Sequence, residues 1–257
     1  LRGADIYLDE ASVTATENAI IAAAGAKGTT VITNAASEPH VQGLCRFIKK
    51  LGVAVEGIGS NVLTIHGQGS FVPSSHKIGA DYIEAGSFIG LAAATGSRLT
   101  ITGVDPSVMR MILFQFERIG VIAQLNPEDK SIYIDEHQPL EIRKDLGGII
   151  PVIDDSPWPG FPTDLMSILL VTATQSEGTC LIHEKMFESR LYFVDKLINM
   201  GAQIVLCDPH RAVIVGPSPL YGSTISSPDI RAGMALLIAA CAAEGKSIIN
   251  NIEQIDR

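Results

Sequence analysis

Residues 163–184 read TDLMSILLVTATQSEGTCLIHE, running from an acidic residue through an apolar helical segment to Gly178 and then into alternating β sequence. The same order recurs in TENAIIAAAGAKGTTVITNA (16–35), IEAGSFIGLAAATGSRLTITGV (83–104) and DIRAGMALLIAACAAEGKSIINNI (229–252), with Gly28, Gly96 and Gly245 at the turn. Self-similarity at this spacing marks a repeat architecture, in which each unit buries its apolar faces against its neighbours.

Three of these units are followed by a second element: LCRFIKKLGVAVEGIGSNVLTIHG (44–67), MRMILFQFERIGVIAQLNPEDKSIYID (109–135) and RLYFVDKLINMGAQIVLCDPHRAVIVG (190–216). Each reads helix, glycine, strand, tight turn, strand, with Gly52, Gly120 and Gly201 suited to a left-handed helix cap. The module is therefore β-α-β-α-β-β. NAIIAAAGA and MALLIAACAA are small and apolar nearly all round, which predicts helices buried on every side and enclosed by sheets. LRGADIYLDE at the start resembles LYGSTISSPDI before the fourth helix, and NNIEQIDR stops where a second helix is expected, so the chain reads as truncated at both ends.

Composition narrows the function classes. The chain has 257 residues, 46% hydrophobic and 18% charged, which suits a folded protein of two domains. Its longest uncharged helical stretch, MALLIAACAA, is too short to cross a bilayer, and LRGADIYLDE lacks the signature of a secretory signal. Cys45, Cys180, Cys207 and Cys241 are widely spaced in apolar or helical contexts with no Cys-x-x-Cys pair, which predicts buried, reduced thiols in a cytoplasmic protein. The net charge of −9 opposes general attraction to nucleic acid or to a membrane surface, so an anionic ligand must be held by a few placed arginines. The six histidines show no metal-ligand spacing, and neither a P-loop, a G-x-G-x-x-G nor a G-x-S-x-G is present; no metal or other cofactor is expected.

Chemistry concentrates at the helix starts. Asp164 in GFPTDL (160–165) follows Thr163, a candidate N-cap, and a loop stiffened by Pro157, Pro159 and Pro162. The bland role for Asp164 is to stabilise the helix dipole; the sharper one is a carboxylate fixed for proton transfer. In SSPDIRAG, Pro228 suits the first helical position and Asp229 the second, while Arg231 is a cation in an unfavourable first turn. Arg231 either pairs with Asp229 or helps hold an anion, and the residues favour neither. Thr14 and Glu17 have capping-box spacing, and Ser12, Val13 and Thr14 would present amides and hydroxyls suited to a diphosphate. Arg190 in MFESRLYF and Arg257 in IEQIDR complete the set of candidate anion-binding arginines.

SVTATENAIIAAAGAKGTTVITNAASEPHV, GFPTDL, FESR, PDIRAGMALLIAACAAEG and IDR, in that order, resemble the UDP-N-acetylglucosamine enolpyruvyl transferase family over essentially the whole chain. The resemblance implies an inside-out α/β barrel fold of βαβαββ repeats. Residues 1–78 would be the last module of the first domain and 79–257 most of the second. It implies transfer of the enolpyruvyl group of phosphoenolpyruvate to the 3′-hydroxyl of UDP-N-acetylglucosamine with release of phosphate, the first committed step of bacterial peptidoglycan synthesis. By the same resemblance Asp164 is the general base and Arg231 and Arg257 surround phosphoenolpyruvate. Arg190 lies in the same cleft, Thr163 near the acetamido sugar, Met186 and Phe187 against the sugar, and Ser12, Val13 and Thr14 on the diphosphate.

The family's Cys-bearing mobile loop and an early Lys-Asn pair belong to an N-terminal half that this sequence does not contain, so little turnover is expected from the chain alone. None of its four cysteines matches the loop position. Two rival readings are a shikimate 3-phosphate enolpyruvyl transferase and a non-catalytic scaffold that keeps the repeat.

Overall fold

The computed structural model describes residues 1–256, and Arg257 lies outside them. The described chain divides into two units, Leu1–Ala80 with Pro157–Pro159, and Asp81–Ser156 with Gly160 onward.

The first unit holds strands β1 (Asp5–Tyr7), β2 (Gly28–Thr33), β3 (Ala54–Glu56) and β4 (Val62–Gly67), with helices α1 (Val13–Ala24) and α2 (Pro39–Lys50). Its sheet order is β1-β2-β4-β3, with β1 parallel to β2 and the other pairs antiparallel. Alternation places Thr30, Ile32, Leu63 and Ile65 on the inward face, with Ile32 opposite Leu63 and Thr30 opposite Ile65. Ile20, Ala23 and Ala24 of α1 and Val41, Cys45 and Ile48 of α2 close this core. After α2 the chain turns through Gly52 at φ +100°, and after α4 of the second unit (Pro106–Arg118) through Gly120 at φ +82°, the left-handed caps that the spacing predicts.

Two expectations are corrected here. α1 is not buried on every side: Ile21 is 57% exposed and Ala22 is exposed, because α2 and the sheet cover only one of its faces. The helix of MALLIAACAA likewise exposes Leu237 and Cys241. Of the four thiols only Cys45 and Cys180 are buried, while Cys207 and Cys241 are exposed.

The second unit holds α3 (Tyr82–Ala94), β5 (Leu99–Thr102), α4, β6 (Ala123–Asn126), β7 (Ser131–Ile134), β8 (Val152–Asp154), α5 (Met166–Ala173) and β9 (Gly178–His183). It continues with α6 (Val194–Asn199), β10 (Gln203–Asp208), β11 (Arg211–Gly216), β12 (Thr224–Ser226), α7 (Ile230–Ala242) and β13 (Ile248–Asn250). The sheet β10-β11-β9-β8 repeats the topology of the first unit, with β8 parallel to β9. The sheet β5-β7-β6 repeats it without a leading parallel strand among the described residues, and the β12-β13 pair repeats only the leading two strands. The missing leading strand departs from the expected module: Gly69, Pro73 and Gly79 interrupt the segment before α3, which forms no strand.

Helices α3, α5 and α7 pack on one another, and all eight residues of α5 are buried. A helix that short is marginal in isolation. Burial of Ile168, Leu169, Leu170 and Val171 stabilises it by up to ~1.5–3 kcal/mol per side chain. Glycine makes the close approach possible: a Cβ on Gly90 would lie 2.7 Å from Ile168 Cγ2 and 2.8 Å from Thr172 Oγ1. α4 and α6 bury one stripe each, through Met109, Ile112 and Phe116 and through Val194 and Leu197. The second unit therefore has helices inside and sheets outside. None of the helices among the described residues is long and apolar enough to cross a membrane.

Candidate active site

The third repeat carries the site because of how its central helix begins. β8 ends at Asp154, Ser156 N–H donates to Phe161 O at 3.1 Å, and the Phe161 side chain is buried. A 3-10 turn, Thr163–Leu165, then leads into α5. Thr163 was expected to cap the helix, and it does not: no side chain caps this turn, and Thr163 Oγ1 instead donates to Glu184 Oε1 at 2.8 Å.

Asp164 is thereby left to face two arginines. Arg190 Nη1 donates to Asp164 Oδ1 at 2.9 Å, and Arg231 makes a two-pronged contact, with Nη2 3.0 Å from Oδ2 and Nε on Oδ1. Such bidentate guanidinium pairs are strong and directional. Burial disfavours the Asp164 carboxylate, but hydrogen bonds from Arg231 and Arg190 and their charges outweigh it and hold its pKa below the usual range. The hydrogen bond to Asp164 in turn raises the pKa of Arg231 against its partial burial.

Each arginine is held from elsewhere. Arg190 follows Ser189, whose φ of +68° turns the chain, and its guanidinium lies 4.1 Å from the centre of the Phe187 ring. Arg231 stands in the first turn of α7, where Asp229 is the N-cap and accepts from Arg231 N at 2.8 Å and Ala232 N at 3.0 Å. One sequence expectation is corrected: Asp229 is the cap rather than the second helical residue. Of the two roles left open for Arg231, the side chain does not pair with Asp229; it pairs with Asp164, 67 residues away. Ser167 Oγ donates to Arg231 O at 3.1 Å, fastening α5 to α7.

The cluster opens on a cavity of about 230 Å³ whose lining includes Thr163, Met166, Glu184, Arg190, Asp229 and Arg231. Arg190 and Arg231 both line the cavity, and their guanidinium groups are the donors that an anionic ligand would engage in competition with Asp164. Among the described residues no cluster of three His, Cys, Asp or Glu side chains is placed to hold a metal ion.

The remaining sequence-predicted residues fall as follows. Ser12, Val13 and Thr14 belong to the first unit, at the start of α1. The expected Thr14–Glu17 capping box is absent, because Ser12 is the cap and its Oγ accepts from Ala15 N at 3.3 Å. Thr14 is exposed in the first helical turn. Met186 and Phe187 are partly exposed in the loop after β9, and Phe187 supports Arg190. Arg257 lies outside the described residues.

Sequence reasoning missed Glu184 and Asp155. Both are fully buried, and burial together with its contact to Asp155 pushes the pKa of Glu184 up to about 8. The signal was strand periodicity: Cys180, Ile182 and Glu184 are alternate residues on one inward face, and Asp155 follows Ile153 in the same way.

The fold is that of the enolpyruvyl transferases. The chain belongs to the EPSP synthase (3-phosphoshikimate 1-carboxyvinyltransferase) family, which matches residues 1–257. Within it, the chain is 60% identical over its full length to UDP-N-acetylglucosamine 1-carboxyvinyltransferase of Treponema denticola, and 55% identical to that of Bradyrhizobium diazoefficiens. It spans 60% and 59% of those two proteins. Among solved structures it resembles the enolpyruvyl transferase NikO from Streptomyces tendae, with a TM-score of 0.78 and 23% identity over 95% of this chain and 56% of that one. It also resembles EPSP synthase from Acinetobacter baumannii, with a TM-score of 0.74 and 19% identity over 99% of this chain and 59% of that one. At those identities the likeness establishes the fold.

Proposed function

We propose that the chain is the site-bearing part of an enzyme that transfers the enolpyruvyl group of phosphoenolpyruvate to the 3′-hydroxyl of UDP-N-acetylglucosamine, releasing phosphate for peptidoglycan synthesis. The observation that carries the proposal is Asp164 held by Arg190 and Arg231, the two arginines that line the cavity. Identity of 60% to a protein named for this transfer, against 19% to an EPSP synthase, favours the nucleotide sugar over shikimate 3-phosphate as acceptor.

In this reading the two arginines serve Asp164 in one state and the substrate in the next. While they grip the carboxylate it is a weak base, because its pKa is depressed. Phosphoenolpyruvate brings a carboxylate and a phosphate that compete for the same guanidinium donors. As Arg190 and Arg231 turn to the incoming anion, Asp164 recovers basicity and accepts the proton of the sugar hydroxyl. The hydroxyl oxygen adds to C2 of phosphoenolpyruvate while an acid of the N-terminal half gives C3 a proton. Elimination then returns a C3 proton to that group and expels phosphate from C2, leaving the enolpyruvyl ether, and the proton on Asp164 passes to solvent. Arg257 would join the phosphoenolpyruvate site, Met186 and Phe187 the sugar site, and Ser12, Val13 and Thr14 the diphosphate site. Residues 1–78 would be the last module of one domain and 79–257 most of a second, with an N-terminal half supplying the remaining groups.

Calorimetric titration of the chain with UDP-N-acetylglucosamine, with shikimate 3-phosphate as control, tests the acceptor. Saturable heat with the nucleotide sugar alone is the expected result. Saturable heat with shikimate 3-phosphate alone would overturn the assignment.

A further inference from the structure

Two carboxyl groups next to the Thr163–Leu165 turn have no part in the chemistry above. β8 and β9 run parallel with Asp154 beside His183, so the next residues, Asp155 and Glu184, fall side by side at the ends of their strands. Both are fully buried. Asp155 Oδ1 accepts Lys185 N–H at 2.5 Å, and Glu184 Oε1 accepts the Thr163 hydroxyl at 2.8 Å. Asp155 Oδ2 and Glu184 Oε2 are buried with no hydrogen-bond partner, which leaves one free oxygen on each carboxyl group. Two buried carboxylates on adjoining strand ends cannot both ionise without a large desolvation and repulsion cost, whereas one proton between them would satisfy both free oxygens.

We propose that Glu184 and Asp155 share a single proton and thereby act as a positioning pair. Glu184 donates that proton to Asp155 and holds Thr163 through its other oxygen, which sets the turn that presents Asp164 to Arg190 and Arg231. The surrounding charges divide. Arg190 and Arg231 face Glu184 from the cavity and favour its ionised form, while Asp164 and Asp229 offset them. Lys185 is engaged by Asp154, and His210 Nδ1 donates to Glu184 O at 2.8 Å from the backbone side. Burial is the largest influence on Glu184, with contact to Asp155 next, so the proton is retained through neutral pH.

The sign of the pH dependence follows. The pKa of Glu184 is raised in the folded chain from 4.5 to about 8, so its contribution to stability is complete below about 4.5 and is lost as pH rises through about 8. Carboxyl-carbon NMR of the chain reads this directly, with an expected Glu184 midpoint more than two units above that of an ordinary glutamate. Asp155→Asn removes the like charge and offers an amide donor, and should lower that midpoint by more than one unit. Glu184→Gln keeps both a donor and an acceptor, and should abolish the fall in melting temperature between about pH 4.5 and pH 8.

The link to turnover rests on the proposed function, whereas the shared proton does not. In a protein carrying this chain at the length of its curated relatives, kcat should fall above about pH 8, and Glu184→Gln should flatten that limb with KM little changed. A Glu184 midpoint below about pH 5, or an unaltered melting profile in Glu184→Gln, would overturn the shared proton. A midpoint near 8 with no enolpyruvyl transfer at any pH would support the shared proton and overturn the proposed function.

Discussion

The first and third repeats build the same four-stranded sheet, with one parallel and two antiparallel pairings, yet they begin their central helices in opposite ways. α1 is capped by its own Ser12, whose hydroxyl meets the amide of Ala15. α5 is entered through a turn that no side chain caps, so Asp164 is spent on Arg190 and Arg231 instead. The fourth repeat supplies the complement, because Asp229 caps α7 and leaves the Arg231 guanidinium free to cross to Asp164. The repeat therefore decides where a helix start falls, and the capping residue decides whether that start is structural or chemical.

The comparison can be broken most forcefully at Asp164. In a protein of the relatives' full length, Asp164→Ala should lower turnover by about 10²-fold or more, the scale expected for losing a positioned proton acceptor. Steady-state phosphate release measures this, and unchanged turnover would return Asp164 to a dipole-stabilising role. The packing behind it is tested next. Gly90→Ala drives a methyl group into Ile168 and Thr172 between α3 and α5, and chemical denaturation should show a loss of about 1–3 kcal/mol.

Ser12→Ala removes the cap of α1 and should cost about 1 kcal/mol by the same measurement, with no effect on the Asp164 cluster. The smallest change has the opposite sign. Gly43 lies inside α2 with open space around its Cβ direction, so Gly43→Ala should stabilise by about 0.5–1 kcal/mol. A loss there would show that the two glycines differ in something other than packing.

Acid titration separates the two classes of helix start. The pKa of Asp164 is depressed in the folded chain, so the stability it contributes is present above the usual aspartate range and is lost as pH falls below that range. Asp164→Asn should remove that acid-side loss, whereas Ser12→Ala should leave it in place.

Much of this architecture is legible in the sequence, for local reasons. The repeat announces itself through glycines that end helices in the left-handed region and through alternation in the hairpins that follow, and the structure has both at Gly52 and Gly120. Helix starts are less legible, because several residues near each one can accept from a free amide. Ser12 rather than Thr14, and Asp229 rather than Pro228, mark the true boundaries. The partner of Arg231 was out of reach because it lies 67 residues away and is set by how α5 meets α7. Glu184 and Asp155 were visible only as inward positions of two strands, and nothing in either segment says that a carboxyl group there is buried rather than solvated.

The most direct test is phosphate release from phosphoenolpyruvate by a protein carrying this chain at the length of its curated relatives, assayed with UDP-N-acetylglucosamine and with shikimate 3-phosphate, each with and without Asp164→Ala. Release that requires the nucleotide sugar and collapses in Asp164→Ala is the predicted result. Release that requires shikimate 3-phosphate, or that survives Asp164→Ala undiminished, would contradict the account.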